Sequence, residues 1–64
     1  MAYYSIVDVL AKAKADALKI CPSIQDYHLD ILLKQFELDY DAAVIAGDTH
    51  IDYFEGEKLC ITKD

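Results

Sequence analysis

Two hydrophobic rhythms run along this chain. From Ile6, apolar residues recur at Val9, Leu10, Ala13, Ala17 and Ile20, the three-and-four spacing that lines one face of a helix. Ser5 stands where an N-cap belongs, and Asp8 follows three residues later as a variant of the capping box. Alanines at 11, 13, 15 and 17 favour the helix and leave a thin surface that another helix can approach closely. Cys21 and Pro22 stop it, because proline cannot continue the hydrogen-bond ladder. The first helix is therefore expected over about 5–20.

A second helix is expected over about 24–46, capped by Ser23 with Asp26 three residues on, and ended by Gly47 in the left-handed conformation. Its apolar positions do not form one stripe. At about 100° per residue, Leu29, Leu32, Leu33, Phe36, Tyr40 and Ala43 make one arc; Ile24, Tyr27, Ile31, Leu38, Ala42 and Ile45 make another. Asp26, Asp30, Glu37 and Asp41 run between them on one side, and His28, Gln35 and Asp39 occupy the opposite gap. A helix apolar on two sides is packed on two sides. The first helix and the C-terminal segment are candidates for covering these arcs, and so is a second protein chain. A kink near Asp39–Asp41 would let both arcs be covered internally.

After Gly47 the rhythm changes to alternation. A hairpin over about 49–62 with a three-residue loop, Phe54–Glu55–Gly56, collects Ile51, Tyr53, Leu59 and Ile61 on one face. Glycine then takes the left-handed position of a G1 bulge. In this register Asp52 opposes Lys58 and His50 opposes Cys60, and Phe54 is left exposed near the tip. The expected fold class is α+β, mainly α: an antiparallel helical pair followed by a C-terminal β-hairpin, in a single domain spanning residues 1–64.

Composition narrows the setting. Apolar and aromatic residues make up 55% of the 64 positions, enough for a core and too many for a disordered chain. The longest uninterrupted apolar run is Ala42 to Ala46, far short of the ~20 residues a membrane span needs. With no basic-then-apolar leader at the N-terminus, the expectation is cytoplasmic. Cys21 and Cys60 lack CxxC spacing, so reduced thiols are expected.

Charge is distributed unevenly. Twelve acids face six lysines, with no arginine. Residues 1–20 carry two acids and three lysines, whereas residues 21–64 carry ten acids and three lysines. Direct nucleic-acid binding relies on basic patches that neutralise phosphates, and is not expected.

The chemistry-bearing residues do not assemble into a motif. Cys21, His28, His50 and Cys60 have no short-range ligand pairs, so no metal and no cofactor are implied. GxGxxG, GxxxxGK[ST], GxSxG and HExxH are all missing from the sequence. The acids have the spacing of solvated helix faces, without the cleft that shifts one of a carboxylate pair. An enzyme is not expected.

Binding is the remaining class. The primary expectation is a small acidic protein-binding module, a regulator or inhibitor that docks its helix stripe on a basic surface of a protein partner. Its candidate residues are Asp26, Asp30, Glu37, Asp41 and, beyond the helix end, Asp48, flanked by Tyr27, Tyr40 and Phe54 as aromatic anchors. Lys34 alone is placed to moderate the stripe, four residues from Asp30. The alternative is an assembly protein that forms a homodimer through an apolar face of the second helix. Small size, acidity and single-domain economy suit phage- or mobile-element-encoded proteins. The run from Asp41 to Thr62 resembles small phage particle-joining proteins only loosely, and no family is assigned.

Overall fold

The computed structural model describes residues 3–62. It contains two helices, α1 (Ile6–Ile20) and α2 (Asp26–Ala46), followed by strands β1 (His50–Asp52) and β2 (Lys58–Cys60). The α+β class, with a helical pair and then a hairpin, is the one the periodicities predict.

α1 begins as its sequence dictates. Ser5 is extended (φ −75°, ψ 171°), and its Oγ accepts from the Asp8 backbone N–H at 3.3 Å. One of the unsatisfied first-turn donors is thereby met. Val9, Ala13 and Ala17 are buried, but Ile20 is exposed at the end of the stripe.

α2 begins later than expected. Ser23 does not cap it; the N-cap is Gln25, which makes no side-chain capping bond. Pro22 and Ser23 instead occupy the centre of a turn closed by the Ile24 N–H donating to the Cys21 carbonyl at 3.0 Å. Proline's fixed φ suits the first central position of such a turn. The helix then runs unbroken through Asp39–Asp41, without a kink. Gly47 ends it at φ 78°, and the Asp48 N–H reaches back to the Ala43 carbonyl at 2.8 Å. That bond, with Gly47 N–H to Val44 at 3.2 Å, is a Schellman closure.

The hairpin register is the alternation's: His50 opposes Cys60, Ile51 opposes Leu59 and Asp52 opposes Lys58. Its turn differs from a simple G1 bulge. Gly56 is left-handed (φ 78°), but so is Glu55 (φ 57°, ψ 30°), and the Glu57 N–H donates to the Phe54 carbonyl at 3.1 Å. Two consecutive left-handed residues so bridged resemble a type I′ turn, whose twist matches that of the strands. Phe54 is the extra residue, and Tyr53 N–H closes on the Glu57 carbonyl at 2.8 Å.

One strand contact was not legible. Tyr4 forms a parallel bridge with Ile61, donating its N–H to the Cys60 carbonyl at 2.9 Å and accepting from the Thr62 N–H at 3.1 Å. The segment before α1 thus covers the outer edge of β2, leaving β1 as the open edge.

The core lies where α1, α2 and the hairpin meet, and contains Val9, Ala13, Phe36, Tyr40, Ala43, Ile51, Leu59 and Ile61. Its rim is aromatic. Phe36 meets Phe54 edge-on at 5.3 Å between ring centroids, and Tyr53 at 5.5 Å. Among the described residues, no helix is long and apolar enough to cross a membrane.

Candidate docking face on the second helix

α2 has two apolar arcs, and the protein uses one. Leu29, Phe36, Tyr40 and Ala43 from the first arc are buried, with Leu32 and Leu33 half-buried beside them. The second arc points away from α1 and the hairpin. Tyr27 is 58% exposed, Ile31 65%, Leu38 50% and Ile45 87%. Ala42 is also exposed, and only Ile24, held by the preceding turn, is half-buried. Isolated exposed apolar residues are ordinary, whereas this arc sets several of them in line along one helix. Within the helix, Ile31, Leu38 and Ile45 fall seven residues apart, the repeat of a helix–helix seam. From Tyr27 to Ile45 the line is about 27 Å long at 1.5 Å per residue.

Acids border this line. Asp26, Asp30 and Asp41 are exposed along one edge, and Glu37 is partly covered. Lys34 does not pair with Asp30 as expected; its Nζ lies 3.2 Å from Glu37 Oε1. Asp48 leaves the stripe, because the Schellman closure turns the chain. It joins Asp39 and Asp52 around a depression between the end of α2 and β1, which Ala42 and Ala46 also line. The outer arc therefore has acids along both edges: Asp26, Asp30, Glu37 and Asp41 on one, Asp39 and Asp48 on the other.

Two expected anchors are corrected. Tyr40 is 6% exposed, a core residue whose hydroxyl donates to the Thr62 carbonyl at 3.0 Å and lies 3.2 Å from Thr62 Oγ1. A tyrosine buried to its tip satisfies its hydroxyl in this way. Phe54 is not exposed at the hairpin tip; the extra loop residue folds it back onto Phe36 and Tyr53. Of the three expected anchors only Tyr27 is exposed, its ring 4.0 Å from that of His28.

Two other clusters carry polar chemistry. At the seam of α1 and the hairpin, Tyr53 donates to Asp16 Oδ2 at 2.5 Å, and Lys12 lies 3.1 Å from the same oxygen. The Tyr53 hydrogen bond, then Lys12, holds the Asp16 carboxyl below the usual range. Burial, then Asp16, pushes the Tyr53 hydroxyl well up. Lys12 Nζ also sits 5.3 Å from the Tyr53 ring centroid. This cluster ties an element to its neighbour and needs no ligand to explain it.

On the outer face of the hairpin, Cys60 Sγ is 3.0 Å from His50 Nε2, and Thr49 Oγ1 is 2.7 Å from His50 Nδ1. The two cysteines are not joined in a disulfide. Among the described residues, His, Cys, Asp and Glu side chains form no group of three or more that could hold a metal ion.

Comparison with protein-family models, with curated proteins and with solved structures finds no match to this chain.

Proposed function

We propose that the protein is a binding module whose outer α2 face docks on a partner protein. The observation that carries this reading is the exposed line Tyr27, Ile31, Leu38 and Ile45, on the side of α2 opposite its core contacts. Leaving it in water has a cost. Full burial of a large aliphatic side chain supplies ~1.5–3 kcal/mol, and at 50–87% exposure each residue of this line forgoes half of that or more. Several such residues in line, on one helix of a 64-residue chain, represent a large fraction of the stability a domain of this size has. The bordering acids modify the sequence-based expectation. They do not act as a stripe alone, but as the rim of an apolar surface, the arrangement of a protein interface with an apolar centre.

The test is position-specific photocrosslinking in cells that make the protein naturally. A crosslinking residue at Ile31 or Leu38 is expected to join one discrete polypeptide, and the adduct should vanish when Ile45→Glu is added. The same residue at Lys14 on α1 should give no such adduct. Equal adducts at all three sites, or none at Ile31 and Leu38, would contradict the reading.

A further inference from the structure

We infer that the occupant of this face is an amphipathic helix with basic residues along both edges of its apolar stripe, rather than a second copy of this chain. The inference rests on the docking reading above and adds the chemistry of the partner.

The geometry favours a helix. Exposed residues extend from Tyr27 to Ile45 along one unbroken helix, so a partner that covers them has to run beside α2. The seven-residue spacing of Ile31, Leu38 and Ile45 keeps one stripe in register with a helix crossing at a shallow angle. A rounded surface would meet only part of that length.

Charge identifies the kind of helix. One edge carries Asp26, Asp30, Glu37 and Asp41, and the other carries Asp39 and Asp48. Lys34 is the only cation on α2, and Glu37 already holds it. Burying the arc brings both acidic edges against the partner, where like charge repels and cations attract.

A second copy fits poorly for the same reason. An antiparallel two-fold pairing of α2 on α2 sets each edge against its own equivalent, so Asp30 and Glu37 meet Asp30 and Glu37. A parallel pairing sets that edge against the one with His28, Gln35 and Asp39. Either pairing offers the acids of both copies only Lys34, which Glu37 already holds, and each copy carries a net charge of −6. The remaining described lysines lie on α1 and the hairpin, where Lys12 and Lys58 are paired with Asp16 and Asp52.

The test uses the whole protein and two synthetic helical peptides as long as α2. Both have leucine along the seam; one has lysine and arginine on its flanks, the other glutamate. Binding is read by fluorescence anisotropy, and the protein's own state by sedimentation. The expected result is a monomer at several hundred micromolar that binds the basic peptide. That binding should weaken about tenfold between about 50 and 300 mM salt, and by a similar factor in Asp30→Asn/Glu37→Gln. Ile31→Glu should abolish it while leaving helicity intact. Equal binding of the two peptides, no binding of the basic one, or a dimer dispersed by Ile31→Glu would overturn the proposed partner while leaving a docking face in place. Basic-peptide binding unchanged by Ile31→Glu would mean charge alone is read, and would overturn the docking reading as well.

Discussion

Phe36 and Ile31 are large apolar residues five positions apart on one helix, and truncating them should have very different consequences. Phe36 is 7% exposed and packs against the Tyr53 and Phe54 rings. Phe36→Ala removes the transfer free energy of the ring and leaves a cavity, together costing about 3–5 kcal/mol. A chain of 64 residues has a total stability of roughly 3–10 kcal/mol, so this variant should be largely unfolded or close to it. Ile31 is 65% exposed, so about a third of its surface is covered. That third is worth about 0.5–1 kcal/mol from the full-burial range. Alanine's better helix propensity returns a few tenths. Ile31→Ala should therefore cost less than about 0.6 kcal/mol, from the difference of these terms. Urea denaturation followed by helix ellipticity measures both. A cost above about 2 kcal/mol for Ile31→Ala would show that Ile31 is covered in solution, because only a covered residue loses that much. Repeating the titration at several protein concentrations would then show whether the cover is another copy.

Three further predictions concern the frame that holds the face. Glu55→Asn should stabilise the protein by about 0.5–1 kcal/mol, since asparagine tolerates the left-handed conformation that glutamate occupies at a cost; thermal unfolding checks it, and a lower midpoint would contradict the turn geometry. Tyr40→Phe should cost about 1 kcal/mol by breaking the bond to Thr62 while keeping the ring buried, and an unchanged urea midpoint would show that the hydroxyl is not tied down. The Asp16 carboxyl titrates lower folded than unfolded, so its contribution is present above the unfolded value near 3.9 and is lost as pH falls through the folded one. Wild type should accordingly lose more stability than Asp16→Asn on acidification below about pH 5. Tyr53→Phe should shrink that difference, and parallel acid profiles for the three proteins would contradict the link.

Legibility differed between elements for physical reasons. The Ser5 cap, the Gly47 stop and the hairpin register were readable because each depends on neighbours in sequence: a hydroxyl three residues before the N–H it caps, a residue without Cβ, and strict alternation. Ser23 was misleading because Pro22 draws it into a turn before the helix can start. The Tyr4 bridge depends on a single residue meeting the far end of the chain, which no local pattern records. The two arcs of α2 were visible from spacing alone, but which of them the core takes depends on three elements meeting. Tyr40 lay within the core-forming arc and still resembled an anchor, because tyrosine suits both settings until the partner of its hydroxyl is known. Asp48 could be placed only after the helix-end geometry fixed the direction of the chain.

A backbone NMR titration of the labelled protein with the basic amphipathic peptide tests the α2 docking face most directly. Perturbations are expected to concentrate at Tyr27, Ile31, Leu38, Ala42 and Ile45 and their acidic borders, with the α1 and hairpin signals largely still. Perturbations centred on α1 or the outer face of the hairpin, or spread evenly over all exposed acids, would contradict it.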